Sequence, residues 1–198
     1  MDFFPHALAR QGQIALLAAI SEVIAEAPLF TPTMPRSGKP MSVRMTNCGP
    51  LGWLTDKEHG YRYQATHPET GKPWPPIPAA LLELWRELAR YPAPPEACLV
   101  NFYAGNAKMG QHQDKDEEDF AAPVLSVSLG DTGIFRLGGP SRKDPTRAFE
   151  LKSGDVVVLG DTDRLAFHGI DRILAGTSDL VPAGGRFNLT LRRVTKPA

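Results

Sequence analysis

The order of apolar and polar positions divides the chain into a helical, loop-rich first half and a second half with the period of β-strands. Residues 8–27 place apolar side chains on one side at helical spacing, and Pro28 ends the pattern. Residues 79–90 repeat it, and the prolines from Pro92 onward end it. We therefore predict one amphipathic helix over each range.

From residue 97 the apolar period changes to two, which is typical of strands. Glycine-rich turn signals separate the apolar runs. The predicted strands of this half cover residues 98–103, 124–130, 133–137, 147–151, 155–159 and 187–193. Two further strands, 41–45 and 60–63, are predicted in the first half. Many short strands at short intervals favour a sandwich or a barrel.

Composition narrows the class of protein. A chain of 198 residues suits one domain, and 42% apolar with 22% charged residues excludes wholesale disorder. The 19 prolines and 18 glycines argue against an all-helical bundle. A formal net charge of zero removes the argument for nucleic-acid binding from a globally basic domain, although a local basic face stays open.

The cysteines and the apolar segments indicate in which cellular compartment we expect the protein. Cys48 and Cys98 are the only cysteines, which does not resemble a disulfide framework. The apolar stretch 14–20 is too short to span a bilayer and does not resemble a signal peptide. We expect a soluble, cytoplasmic monomer without membrane contact.

Three residues form a candidate metal site. His112 and Asp114 are two positions apart, so on a strand their side chains would point the same way. His168, after an apolar run, completes a set of two histidines and one carboxylate, which leaves positions open on an octahedral iron. The alternative is that the first two are surface polar residues and that His168 is a buried histidine with structural partners.

The last predicted strand carries a candidate anion site. Arg186, Asn188, Thr190 and Arg192 alternate with apolar residues and so share one face. Two arginines on such a face are costly unless an anion meets them, and a dicarboxylate would do so. The alternative is a solvated sheet face with both arginines exposed.

From about Met41 to Arg192 the chain resembles the AlkB-type nucleic-acid dealkylases, which use iron(II) and 2-oxoglutarate. The motifs that carry the resemblance are Met45-Thr46-Asn47-Cys48-Gly49, Gly52-Trp53, Gly60-Tyr61, Asn101-x-Tyr103, His112-Gln113-Asp114-Lys115-Asp116-Glu117, Val127-Ser128-Leu129-Gly130, Gly154-Asp155-Val156-Val157-Val158, His168-Gly169-Ile170 and Arg186-x-Asn188-Leu189-Thr190-x-Arg192.

The resemblance implies a role for each matching residue. The iron ligands and catalytic centre would be His112, Asp114 and His168. The 2-oxoglutarate residues would be Asn101, Tyr103, Arg186, Asn188 and Arg192, with Arg186 at the far carboxylate and Arg192 nearer the metal. Which arginine serves which end stays open.

It also implies contacts to the substrate. Trp53 would stack on the damaged base opposite His112, and Tyr61 would contact the base or its phosphate. Asp116, as a buried carboxylate, would favour a cationic methylated base over a neutral one. Apart from the resemblance, the basic residues Arg142 and Lys143 after Gly138-Gly139-Pro140 would form a loop contact to the phosphate backbone, and the alternative for each is a solvated charge.

By the same resemblance, the fold would be mainly β with flanking helices, a double-stranded β-helix (jelly-roll) core under an N-terminal helix and loop nucleotide-recognition lid. Residues 1–198 would form one catalytic domain, with the lid in 1–96 and the core in 97–198. The loop 30–40, expected in the lid, lacks the aromatic residue expected there.

The implied activity is oxidative demethylation of N1-methyladenine and N3-methylcytosine in single-stranded DNA. It consumes 2-oxoglutarate and O2 and releases succinate, CO2 and formaldehyde. The alternatives are an RNA or tRNA demethylase and a 2-oxoglutarate oxygenase of proteins or small molecules. Two non-catalytic alternatives are a metal-binding barrel and a nucleic-acid-binding module without turnover.

Overall fold

Twelve strands and two α-helices make up the fold in a computed structural model, which describes residues 1–197. The helices are α1 (Arg10–Glu26) and α2 (Ala79–Leu84). The strands are β1 (Asp2–Phe4), β2 (Arg44–Cys48), β3 (Gly52–Asp56), β4 (Gly60–Gln64), β5 (Ala97–Tyr103), β6 (Met109–His112), β7 (Val124–Gly130), β8 (Thr132–Leu137), β9 (Arg147–Leu151), β10 (Val156–Leu159), β11 (His168–Leu174) and β12 (Arg186–Arg192).

Two antiparallel sheets form the core of a jelly roll. The major sheet has six strands in the order β1-β10-β7-β12-β5-β2, and the minor sheet has four in the order β6-β11-β8-β9. In the major sheet β12 pairs with β5 on one side and with β7 on the other. The strand pattern predicted a sandwich or a barrel, and the jelly-roll core implied by the resemblance is confirmed.

All seven residues of β12 are buried, because both faces of the major sheet are covered. The apolar side chains of β12, Leu189 and Leu191 among them, pack under α1 and α2 in one hydrophobic cluster. Its polar side chains alternate with these and face the minor sheet. None of the helices within residues 1–197 has the length and apolar content needed to cross a membrane.

A separate hairpin of β3 and β4 lies over the β2 edge of the major sheet. It is supported by a small apolar cluster that includes Leu54, Phe30 and Trp74. Residues 30–40 cross beside it, held by an isolated bridge between Phe30 and Met45. The hairpin thus gives the lid region a regular element that presents side chains above the sheet.

Several element predictions need correction. The predicted helix 79–90 is α only to Leu84 and continues as a π-helical turn over Trp85–Ala89. The predicted strand 41–45 begins later, at Arg44. Four strands were not predicted at all, namely β1, β3, β6 and β11.

Candidate active site

Two histidines face each other across the β6–β11 ladder. His168, the first residue of β11, pairs directly with His112, the last residue of β6, and their rings lie 4.6 Å apart between centroids. Each Nδ1 lies within hydrogen-bond distance of a backbone carbonyl two residues earlier, that of Gly110 for His112 and that of Ala166 for His168. A carbonyl only accepts, so Nδ1 carries the proton and Nε2 is left as the ligand atom.

Asp114 completes the cluster from the segment after β6. Its carboxylate oxygens lie 3.6 Å from Nε2 of His112 and 3.7 Å from Nε2 of His168. One ligand atom from each residue lies within 4.8 Å of the others, which suits a metal ion. The expected strand does not extend through Asp114, because β6 ends at His112. A hydrogen bond from Nε2 of the neighbouring Gln113 to the carbonyl of Leu165 holds this segment instead.

The protonation states in the cluster favour metal binding. Burial, aided by the neighbouring imidazole of His112, lowers the pKa of His168 to about 4, so this ring is neutral at pH 7. Burial opposes ionisation of Asp114, but the nearby charges, led by Arg192, hold its pKa well below the usual range. Neutral imidazole and ionised carboxylate are the forms that bind metal.

Arg186 is fully buried on the inner face of β12, and no carboxylate of residues 1–197 lies within 4.0 Å of it. Its Nη1 donates to the carbonyls of Asp131 and Leu151, and its Nη2 donates to Oγ of Ser128. Nε has no partner, so two of the five N–H donors, one on Nε and one on Nη2, remain free. Burial lowers the pKa of Arg186 to about 10, which still leaves a cation at neutral pH.

Burying a cation without an ion pair costs free energy. Beside the free Nε donor of Arg186, a glycine on the facing sheet leaves space. A Cβ added to Gly133, on β8 of the minor sheet, would lie 2.9 Å from Nε of Arg186. The glycine therefore leaves room for a ligand atom beside the guanidinium. This arrangement fits the anionic end of a small carboxylate.

Arg192 occupies the opposite end of the same face of β12. Its Nη2 donates to Oδ1 of Asp114 at 2.8 Å, so it lies directly beside the histidine and aspartate cluster. Its Nε is buried and makes no hydrogen bond, although Glu117 lies 3.6 Å away. Both arginines are therefore buried, and the alternative of a solvated sheet face is wrong.

Polar groups between the two arginines continue the polar inner face of the major sheet. Asn188 and Asn101 are direct partners in the β12–β5 ladder, and Tyr103 is the partner of Arg186. The Oδ1 atom of Asn101 is buried without a partner, and Nδ2 of Asn188 donates to Oγ of Ser126. Burial raises the pKa of Tyr103, so its hydroxyl is a donor at neutral pH. Within residues 1–197, the buried side-chain atoms left without partners are Asn101 Oδ1, Arg186 Nε and Arg192 Nε, all on this face.

The hairpin of β3 and β4 presents an aromatic pair. Trp53 is half-buried and stacks on the exposed ring of Tyr61, with centroids 5.6 Å apart and planes at 25°. Nε1 of Trp53 donates to Oδ2 of Asp116 at 2.8 Å. The prediction of a buried Asp116 is wrong, since this residue is exposed. One carboxylate oxygen is committed to the indole, which leaves the other free.

Arg142 lies in the exposed loop between β8 and β9. Its Nη1 donates to the carbonyl of Gln111 at 2.8 Å, and its guanidinium lies 4.7 Å above the ring of Phe167. These contacts place a positive charge next to the strand that ends in His112.

Sequence reasoning missed four residues of the site. Glu117 and Arg164 are buried and form an ion pair at 3.1 Å, and the hydroxyl of Tyr63 donates to Glu117. An acidic run such as 114–119 ordinarily marks a solvated surface, so the sequence held no signal for a buried glutamate there. Gly133 was likewise missed, because its effect depends on a residue of the facing sheet.

Comparisons with known proteins agree with this geometry. The family model described as the 2OG-Fe(II) oxygenase superfamily matches residues 1–192. The chain is 56% identical over 192 residues to an alpha-ketoglutarate-dependent dioxygenase AlkB homolog of Caulobacter vibrioides, covering 97% of this chain and 86% of the relative. It is 45% identical over 185 residues to alpha-ketoglutarate-dependent dioxygenase AlkB of Escherichia coli, covering 91% and 84%.

A solved structure titled as that of OsALKBH1 has the same fold. Its TM-score is 0.80 at 32% identity, over 96% of this chain and 95% of that one. Two shorter matches, over half of this chain or less, are to a DNA N(6)-methyladenine demethylase of Arabidopsis thaliana and a tRNA demethylase of Schizosaccharomyces pombe.

Proposed function

The chain belongs to the 2OG-Fe(II) oxygenase superfamily, and we propose that it demethylates N1-methyladenine and N3-methylcytosine oxidatively in single-stranded DNA. Iron(II) is the cofactor, and 2-oxoglutarate and O2 are the co-substrates. The observation that carries the proposal is the cluster of His112, Asp114 and His168 at one end of a pocket whose other end holds the unpaired cation of Arg186.

The cluster supplies the ligands that iron(II) needs. His112 and His168 offer Nε2, and Asp114 offers a carboxylate oxygen, a set that leaves adjacent coordination positions open. When bound there, iron supplies the chemistry that couples decarboxylation of 2-oxoglutarate to oxidation of an N-methyl group. The residues of the chain hold the metal ligands, the co-substrate and the base in the relative positions that the reaction requires.

The inner face of β12 and β5 offers the groups that a dicarboxylate requires. We assign Arg186 to the far carboxylate, through its free Nε and Nη2 donors, with Tyr103 and Asn101 beside it. Arg192 and Asn188 would serve the carboxylate nearer the metal, since Arg192 is bonded to Asp114. The Nε atoms of Arg186 and Arg192 are buried without partners, and they support this assignment because each carries an N–H that a carboxylate oxygen can accept.

The hairpin of β3 and β4 would receive the base. A methylated base on the pairing edge must leave the stack, and methylation already weakens its pairing. Trp53 would stack on the extruded ring, Tyr61 would contact the base or its phosphate, and Asp116 would attract the cationic lesion through its free oxygen. Arg142 would hold a backbone phosphate.

The organisation follows from these assignments. We infer that residues 1–198 act as one catalytic domain, in which 1–96 supply the nucleotide-recognition lid and 97–198 supply the iron and 2-oxoglutarate pocket. We further propose that the enzyme acts as a monomer in the cytoplasm, where the unpaired buried thiols of Cys48 and Cys98 are stable. Sedimentation equilibrium giving a stable dimer would contradict the monomer.

The test follows the methyl group. Purified protein is incubated with iron(II), 2-oxoglutarate, ascorbate and a single-stranded DNA oligonucleotide bearing one N1-methyladenine, and mass spectrometry reads the product. We expect loss of the methyl group with the wild-type protein and none with His112→Ala. Succinate release from a DNA that stays methylated would contradict the substrate while leaving the oxygenase in place.

RNA is the second candidate substrate, because one of the shorter matches is named as a tRNA demethylase. A flipped base looks similar in both nucleic acids, so the 2′-hydroxyl is the group that distinguishes them. An RNA strand of the same sequence and lesion, run in parallel, decides between them by the ratio of kcat/KM.

A further inference from the structure

A single hydroxyl joins the lid hairpin to the co-substrate pocket. Tyr63 lies on β4, in the hairpin that also carries Trp53. Its hydroxyl donates to Oε1 of Glu117 and accepts a hydrogen bond from Nη1 of Arg192 at 3.3 Å. The phenol therefore bridges the carboxylate and the guanidinium.

The cluster that it joins is buried and balanced in charge. Arg164 and Arg192 supply two positive charges, and Glu117 and Asp114 supply two negative ones. Arg164 further donates to the backbone carbonyls of Asp114 and Ala122. The guanidinium of Arg164 thus fixes both the metal-site segment and Glu117.

Arg192 is less firmly held than Arg164. Its direct protein bonds are to Asp114 and to the hydroxyl of Tyr63, while its Nε makes none and lies 3.6 Å from Glu117. Burial, together with the carboxylate of Glu117, raises the pKa of Tyr63 and outweighs the effect of Arg192, so the hydroxyl keeps its proton. Without that hydroxyl, Arg192 would lose one of its two bonds and Glu117 would lose a donor.

We propose that Tyr63 is a positioning residue, whose hydroxyl both aims Arg192 at 2-oxoglutarate and anchors the β3–β4 hairpin to the pocket. The proposal rests on the proposed function for the location of the co-substrate. It assigns a role to a residue of the β3–β4 hairpin whose hydroxyl bonds to Glu117 and Arg192.

The first test measures co-substrate binding without turnover. 2-Oxoglutarate is titrated calorimetrically into protein loaded with Mn(II), for the wild type, Tyr63→Phe and a matched control. The control is Tyr91→Phe, which removes a hydroxyl that donates to a different carboxylate, Asp119. We expect the Kd of Tyr63→Phe to rise about three- to tenfold, the range for one lost hydrogen bond, and that of Tyr91→Phe to stay unchanged.

A second variant changes the other partner of the Tyr63 hydroxyl, and turnover kinetics separate binding from chemistry. Glu117→Gln keeps an acceptor for the Tyr63 hydroxyl but removes the charge that faces Arg192, so its Kd should rise as well. In turnover with Tyr63→Phe, KM for 2-oxoglutarate should rise while kcat falls little. An unchanged Kd in folded Tyr63→Phe, or an equal rise in Tyr91→Phe, would overturn the proposal.

The second test reads the hairpin itself. Hydrogen exchange at the amides of residues 52–64 should be faster in Tyr63→Phe than in the wild type, and Tyr91→Phe should match the wild type. Equal exchange in all three proteins would refute the anchoring role. If wild-type protein bound no 2-oxoglutarate, both proposals would fail, whereas intact binding with an inert oligonucleotide would contradict the substrate alone.

Discussion

Arg186 and Gly133 face each other across the two sheets, and a Cβ on the glycine would stand 2.9 Å from Nε of the arginine. Three hydrogen bonds hold this guanidinium in place, so it cannot easily retreat from an added methyl group. The pocket therefore depends on a residue without a side chain on the facing sheet.

Gly133→Ala should weaken 2-oxoglutarate binding by about tenfold or more, because the methyl group would occupy the space beside the free donor of Arg186. Calorimetry on the Mn(II)-loaded protein measures the effect. Gly12→Ala is the matched control, since a Cβ there meets only Leu8 at 3.5 Å. That variant should keep its 2-oxoglutarate affinity and gain about 0.5–1 kcal/mol of stability, because Gly12 lies within α1.

His168→Ala should lower the affinity for Mn(II) by more than about 100-fold, because it removes one of the three metal ligands. Loss of a residue that only hydrogen-bonds a ligand typically lowers metal affinity by about 10- to 100-fold, and loss of the ligand itself should cost more. His59→Ala is the control, as His59 is an exposed histidine of the β3–β4 turn. Titration of each apoprotein with Mn(II), followed by electron paramagnetic resonance, gives the comparison. Equal affinities in the two variants would remove His168 from the metal site.

Asp116→Asn should reduce kcat/KM more for the cationic lesion N1-methyladenine than for the neutral lesion N1-methylguanine. The free oxygen of Asp116 attracts positive charge, and asparagine keeps an acceptor for the Trp53 indole. Because Asp116 is exposed, we expect the difference between the two losses to be only about three- to tenfold. Equal losses on the two lesions would show that Asp116 does not sense charge.

Glu96→Gln should lower the free energy of unfolding by about 1–3 kcal/mol at pH 7. The Glu96 carboxylate accepts bonds from the backbone of Val194 and Thr195 and pairs with Arg193, and these contacts hold its pKa below the ordinary value in spite of burial. A lowered folded pKa stabilises the fold above the unfolded pKa of about 4.3. That stabilisation is lost as the pH falls through the folded pKa.

Urea unfolding at pH 7 and at acid pH measures this effect. The difference in stability between Glu96→Gln and the wild type should be largest at pH 7 and should shrink on acidification. A difference that stays constant from pH 7 down to pH 3 would contradict a role for the ionised carboxylate.

The sequence predicted the strands whose burial on two faces leaves a strong apolar signal, such as β7 and β12. It missed β6 and β11 because they line the site. Gly110 and Gln111 in β6, and Asp171 and Arg172 in β11, replace the apolar residues on which the period-two signal depends. In these two strands, polar residues and glycine near the site occupy positions that would otherwise be apolar, so the alternating pattern is lost.

The residues of the candidate site that belong to sequence motifs could be predicted, and the others could not. His112 and His168 were named from residue type and order, and the β6–β11 ladder brings them together. Glu117 and Arg164 were not, because the burial of a charge depends on partners that lie 47 residues apart in the chain. Asp116 was wrongly predicted to be buried. Nothing in the short acidic run shows that Glu117 is buried and that its neighbour Asp116 is exposed.

The position of β12 bears on how the enzyme is made. This strand lies between β5 and β7 in the middle of the major sheet, yet both neighbours and all three candidate metal ligands precede it in the chain. During synthesis the ribosome therefore releases the candidate iron ligands before the strand that carries Arg186 and Arg192. A nascent chain that ends before β12 therefore contains every candidate iron ligand but neither arginine of the co-substrate site, so that site is completed last.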